Sequence, residues 1–328
     1  MALGAGANYP PPVNASISVA GIEDAARAVD PVFLNSPQFE CEPLSERLGV
    51  ATVLKVESAN PIRSFKGRGT DYLLYQLGPG AQPLVCASAG NFGQGMAYAC
   101  RKRGVPLTVF ASDNASPLKL ERIRKLGASI ELEAGDFDDA KAAARRHADA
   151  HGELFIEDGL IGAIGEGAGT IGAELTQSAE PLDAVFVPLG NGSLVNGVGT
   201  WIKHASPSTR VVAVCAEGAP SMARSWRERR PIEAPAQTVA DGISVRVPIP
   251  EAVEISISTV DALYLVRDED MLVWMRHLFF DAGLLIEPSG AAALAAIAMG
   301  SRGLKGKRVA AILTGGNVTH QQIRGWLY

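Results

Sequence analysis

From about residue 50 onward, short apolar runs rich in β-branched residues alternate with longer amphipathic stretches. Val53–Glu57, Leu84–Ser88, Leu107–Ala111, Ser129–Glu133 and Leu154–Glu157 read as strands, as do Ala184–Leu189, Val211–Glu217 and Val309–Thr314. Gln94–Arg103, Pro117–Leu126 and Phe137–Ala150 read as helices between them. Ser116 is placed as an N-cap, with Pro117 at the first helical position. Strands that alternate with helices predict an α/β fold: a parallel sheet covered on both faces. Glycine clusters at Gly67–Gly69 and Gly159–Gly169 bracket four or five β/α units, and the strand rhythm restarts at Ala184. The expectation is two lobes, with a small one over residues 69–160 inserted into a large one built from residues 1–68 and 161–328.

Composition narrows the class without changing this picture. The 328 residues are 47% hydrophobic and 20% charged, an ordinary globular balance. A net charge of −5, with no basic run, argues against a nucleic-acid partner. Cys41, Cys86, Cys100 and Cys215 have no paired spacing and read as buried free thiols in a reducing compartment. MALGAGANYPPPVNAS lacks the basic start and apolar core of a signal peptide and reads as a loose arm. AAALAAIAMG, near Ala291, is too short to span a bilayer. A cytoplasmic location is expected, without membrane association.

Four segments carry candidate chemistry, each just after an expected strand, where open α/β sheets place their ligands. In Ser58–Gly69 (SANPIRSFKGRG), Lys66 lies in a loop whose glycines admit a ligand, and a partly desolvated amine there could form an imine. In Ala87–Gly95 (ASAGNFGQG), small residues lead into a helix start suited to a carboxylate or phosphate, and Asn91 could donate to a cofactor oxygen. In Val187–Leu194 (VPLGNGSL), the backbone amides and the Ser193 hydroxyl could cradle a phosphate. That segment lacks the Gly-Lys-Ser/Thr of a P-loop and the spacing of a dinucleotide fingerprint, so a small phosphate-bearing cofactor fits better. In Ala311–Asn317 (AILTGGN), Thr314 offers a neutral hydroxyl beside two glycines. His147 and His151, at i and i+4, lack a third ligand and read as a solvated helix face; no GxSxG elbow occurs.

Taken together and in this order, the segments resemble the fold-type-II pyridoxal-phosphate enzymes. These include the serine and threonine dehydratases, serine racemase and, more distantly, threonine synthase. The resemblance covers nearly the whole chain after about residue 20. It implies a two-lobed, tryptophan synthase β-like fold with pyridoxal 5'-phosphate in the inter-lobe cleft. SFKGRG resembles the family's Ser-x-Lys-x-Arg-Gly pattern, which makes Lys66 the Schiff-base lysine and sets Phe65 against the pyridine ring. SAGNFGQG resembles the substrate-carboxylate loop: Ser88, Ala89, Gly90 and Asn91 would bind substrate, with Asn91 also reaching the phenolic oxygen. Gly190, Asn191, Gly192, Ser193 and Leu194 would form the phosphate cup, and Thr314 would face the pyridine nitrogen. Ala240–Ile243 and Glu287–Gly290 match further landmarks, with Gly242 at the substrate.

The implied activity is that of a lyase in amino-acid catabolism, removing water from a β-hydroxy-α-amino acid to give a 2-oxo acid and ammonia. Lys66 would be the Cα base. A hydroxyl at the ring nitrogen makes the ring a weaker electron sink, which favours rapid loss of the β-substituent. Where racemases carry a second serine, this chain has Ala89, so racemisation is expected to be weak. Phe92 replaces a common histidine. With Trp226 and Phe279–Phe280 it could form an apolar wall for an aryl substrate such as phenylserine. Glu217 matches one ligand of a family cation site but Ala223 occupies the later position, so no metal is expected. Only twelve residues follow Gly316, too few for the C-terminal regulatory domain of biosynthetic relatives. The alternatives are a β- or γ-replacement transferase of the cysteine synthase or threonine synthase kind, and a non-catalytic binding protein of the same fold. A homodimer paired through the large lobe is expected.

Overall fold

The computed structural model describes residues 15–178 and 180–328. Residues 1–14 of the expected N-terminal arm therefore lie outside the described residues. The chain opens with α1 (Val19–Ala28), β1 (Gln38–Glu40), α2 (Glu42–Leu48), β2 (Ala51–Val56) and α3 (Lys66–Leu77). Four strands with their helices follow: β3 (Leu84–Ala87), α4 (Asn91–Arg103), β4 (Leu107–Ser112), α5 (Pro117–Lys125), β5 (Ser129–Glu133), α6 (Phe137–His151) and β6 (Leu154–Ile156). Next come α7 (Gly162–Leu175), β7 (Ala184–Pro188), α8 (Ser193–Ala205), β8 (Arg210–Ala216), α9 (Ser221–Glu228) and α10 (Pro250–Thr259). The chain closes with β9 (Ala262–Val266), α11 (Asp268–Ala282), α12 (Pro288–Gly300), β10 (Arg308–Leu313) and α13 (His320–Trp326).

These strands form two sheets, one of six in the order β1-β2-β10-β7-β8-β9 and one of four in the order β5-β4-β3-β6. Every pairing is parallel except β1 with β2. The inner strands β2, β10, β7 and β8 are buried almost throughout, which is why they read as continuous apolar runs. All eight strands expected from the pattern are present within about two residues. The two missed strands lie at the edges. The three residues of β1 are all exposed, and β9 is half-buried over most of its length, so neither carries a strong apolar signal.

Helix α12 contains the Ala-rich run and packs against β7, β8, β9 and β10; its residues are buried nearly all round. No helix among the described residues is long and apolar enough to cross a membrane. Pro117 opens α5 as expected, but Ser116 makes no side-chain cap bond; full capping boxes occur instead at α6 (Asp136 with Asp139) and α13 (Thr319 with Gln322). Helices α7 and α8 approach very closely, since a Cβ on Gly197 would stand 2.0 Å from the carbonyl oxygen of Gly165. This contact sets the first turns of α8 against α7. All four cysteines are buried and unpaired.

Candidate active site

Lys66 is the first residue of α3, reached by a loop that leaves the end of β2. The loop is tied to the end of β10: Phe65 N–H donates to the Thr314 carbonyl (3.0 Å) and Gly316 N–H to the Arg63 carbonyl (3.0 Å). Lys66 and Thr314, 248 positions apart in sequence, are thereby held as neighbours. Two residues on, Arg68 is fully buried and donates to Glu57 on one side and Glu174 on the other. Burial opposes its charge, but Glu57 and Glu174 more than offset this and hold the guanidinium firmly protonated. The arginine of SFKGRG therefore anchors the first turn of α3 to β2 and α7.

The amine of Lys66 is mostly shielded. It lies 4.6 Å from the centroid of the Phe65 ring and 5.8 Å from that of Phe92, and donates to Asp158 Oδ2 at 2.5 Å. The other oxygen of Asp158 accepts from Ser193 Oγ at 2.7 Å. One carboxylate thus joins the lysine loop to the turn before α8.

That turn, Gly190–Leu194, has the features of an anion cup. Gly192 sits at φ 100° and leads directly into the 13-residue α8, whose N-terminus points its free amides into the turn. Among the described residues no protein group accepts from the backbone amides of Gly190, Asn191, Gly192, Ser193 or Leu194. A Cβ on Gly190 would meet the Gly242 carbonyl oxygen at 2.8 Å, which places the Gly242 turn on the cup's wall.

The loop after β3 carries Ser88, Ala89 and Gly90, all half-buried, into α4. Asn91 opens α4 and is fully engaged on one side: its Nδ2 donates to Glu287 Oε1 (2.7 Å) and its Oδ1 accepts from Asn317 Nδ2 (2.8 Å). An amide nitrogen has two hydrogens, so one donor of Asn91 remains for a ligand. Glu287 also accepts from Asn317 N–H at 3.1 Å. Its carboxyl is pushed up to about 7, chiefly by burial and then by the charge of Asp241, with Lys119, Asn91 and Asn317 working in the opposite direction.

A cavity of about 500 Å³ gathers these groups. Phe65, Lys66, Ser88–Asn91, Gly190–Leu194, Gly242 and Thr314 all line it. Every residue expected at the site is therefore brought to one space. Sequence reasoning missed Asp158, whose only signal was its place just after a strand, and it gave Glu287 no role. Phe92 lines the cavity with Phe137 and Phe155, but Trp226, Phe279 and Phe280 do not, which corrects the expected apolar wall. Trp226 packs on the core beside β8, and Phe280 is 62% exposed on α11. Lys119 pairs with Asp241, and Arg246 with Asp138 (2.5 Å); both pairs link the side of the four-stranded sheet to that of the six-stranded sheet at the mouth.

Comparison with known proteins agrees with this geometry. The pyridoxal-phosphate dependent enzyme family matches residues 29–315. The chain is 33% identical over 305 residues to an L-threonine ammonia-lyase of Thermotoga maritima, covering 92% of this chain and 76% of that one. It is 32% identical over 299 residues to a chloroplastic biosynthetic threonine dehydratase of Arabidopsis thaliana. That match covers 89% of this chain and half the length of the plant enzyme. Among solved structures, maize serine racemase superposes with a TM-score of 0.88 at 24% identity, covering 94% of this chain and 96% of that one, a likeness of fold. The residues present fit the family's cofactor. A shielded lysine amine, five amides at a helix N-terminus with no acceptor among the described residues, and the buried Thr314 line one cavity of suitable size. Accordingly, the chain belongs to the fold-type-II pyridoxal-phosphate dependent enzymes, in the serine/threonine dehydratase family.

Proposed function

We propose that the protein is a pyridoxal-phosphate-dependent ammonia-lyase that removes water from a β-hydroxy-α-amino acid, giving a 2-oxo acid and ammonia. The observation that carries this reading is the convergence of Lys66, the Gly190–Leu194 cup and Thr314 on one cavity. When bound, the cofactor supplies an electron sink for charge developing at the substrate Cα. Lys66 holds the cofactor and serves as the base that moves the Cα proton. The free amides of Gly190, Asn191, Gly192, Ser193 and Leu194, with the Ser193 hydroxyl, hold the phosphate. Thr314 would meet the ring nitrogen with a hydroxyl, which could not protonate it as a carboxylic acid would. Phe65 would pack against the ring, and the remaining donor of Asn91 would serve the phenolic oxygen. Ser88, Ala89, Gly90 and Asn91 would receive the substrate carboxylate, with Gly242, beside the cup, also at the substrate. The two sheets are the cores of two lobes divided near residues 69 and 160, with the site in the cleft.

Threonine is the substrate favoured by the relatives' names, and serine, the shorter β-hydroxy amino acid, is proposed beside it. Phe92 beside the lysine, together with Phe137 and Phe155 in the lining, supports an aryl analogue such as phenylserine as a further substrate. The test is a panel of β-hydroxy amino acids in each stereochemical form, scored for 2-oxo acid and ammonia with no second nucleophile present. Silence across the panel, with turnover only when a nucleophile is added, would identify a replacement transferase instead. The proposal includes a homodimer, to be checked by light scattering. The four buried thiols support a reducing, cytoplasmic setting.

A further inference from the structure

The carboxylate of Asp158 engages the two groups that a phosphate-bearing aldehyde would need. Its Oδ2 accepts from Lys66 Nζ at 2.5 Å and its Oδ1 from Ser193 Oγ at 2.7 Å. The carboxylate is itself largely shielded, at 11% exposure. Its backbone is fixed against the cup: Gly159, at φ 95°, would place a Cβ 2.5 Å from the Asn191 carbonyl oxygen. Asp158 therefore stands on the floor of the cavity between lysine and cup.

We propose that Asp158 is an internal stand-in for the cofactor's phosphate, holding Lys66 and Ser193 in the cofactor-free protein and competing with the phosphate for the cup. This rests on the reading that Lys66 and the cup hold the cofactor. Two anions confined to one poorly solvated cup repel each other strongly. Entry of the phosphate accordingly breaks the bond from Ser193 to Asp158 and turns the carboxylate aside. The cost of that displacement is subtracted from cofactor affinity. In return, the lysine and the cup stay ordered, and in register, before the cofactor arrives. Asp158 is a positioning residue in this account, one that sets how readily the site loads.

The test measures binding of pyridoxine 5'-phosphate, which carries the phosphate but has no aldehyde to react with lysine, beside unphosphorylated pyridoxine. Wild type is compared with Asp158→Asn, Asp158→Ala and Asp158→Glu by competition against the pyridoxal phosphate absorbance band. The neutral variants should bind the phosphorylated ligand at least tenfold more tightly, with pyridoxine affinity changed by less than twofold, while Asp158→Glu stays near wild type. Unchanged or weaker phosphate-ligand binding in a folded neutral variant overturns the role of Asp158, as does equal tightening for both ligands. Should Asp158→Asn fail to fold, Asp158→Ala decides by the same criteria. Absence of phosphate-ligand binding in wild type and variants alike overturns the site assignment itself.

Discussion

Replacing Glu287 by glutamine should remove a pH-dependent part of the protein's stability. Glu287 is 4% exposed, and its carboxyl is raised from the ordinary 4.5 to about 7 by burial, then by Asp241. The folded protein thus binds this proton more tightly than the unfolded chain does. The stabilisation is complete below about pH 4.5 and is lost as pH rises through about 7. At about 1.4 kcal/mol per tenfold change in proton affinity, the loss between pH 5 and pH 9 is about 3 kcal/mol. Glutamine keeps an acceptor for Asn91 but presents an amide nitrogen to Asn317 N–H, costing about 1 kcal/mol at every pH. Urea unfolding of wild type and Glu287→Gln should therefore give curves that cross. The variant should be the less stable by about 1 kcal/mol at pH 4, about equal to wild type near pH 5 and the more stable by about 2 kcal/mol at pH 9. Titrating groups that do not interact with Glu287 are common to both proteins and cancel in the difference. Parallel pH profiles would refute the assignment of a proton to Glu287 near neutrality.

Three further outcomes follow from the same contacts. Ser193→Ala removes the hydroxyl of the cup and should weaken pyridoxal phosphate binding by roughly tenfold to a hundredfold, the worth of one hydrogen bond to a charged group, measured by equilibrium titration. Arg68→Met strands Glu57 in the interior and leaves Glu174 with Lys55 as its cationic partner, and should destabilise the fold by about 3–5 kcal/mol in urea unfolding; a loss below 1 kcal/mol would show that the cluster does not anchor α3. Wild type should interconvert the serine enantiomers barely at all because Ala89 offers no acid or base. Ala89→Ser should raise that rate detectably by chiral chromatography, and an active racemase in the wild type would contradict the reading.

What could be read in the sequence divides along the chain's own physics. The inner parallel strands and the glycine-rich turns are local features, marked by apolar runs and by residues that free the backbone. Lys66, the Gly190–Leu194 cup and Thr314 lie within such features, so their spacing and order were informative. The edge strands β1 and β9 lack continuous burial and left no comparable mark. Asp158, Glu287 and Asn317 gain their meaning from partners as distant as residue 91 or 193, and no local pattern encodes those meetings. The partners of Arg68 were equally invisible, since Glu57 and Glu174 come from β2's exit and from α7. The aromatic wall went astray for the same reason. Composition gave the aromatic residues, but only packing decides that Phe137 and Phe155 line the cavity while Phe279 and Phe280 do not.

The central claim is that Lys66 holds the cofactor. Lys119 and Lys141 also line the cavity, so the identity of the lysine is open to a direct test. Borohydride reduction of the cofactor-loaded protein, followed by peptide mass mapping, should place the pyridoxyl adduct on Lys66, and Lys66→Ala should lose both adduct and visible absorbance. An adduct on Lys119 or Lys141, or a visible band that survives in Lys66→Ala, would contradict the account.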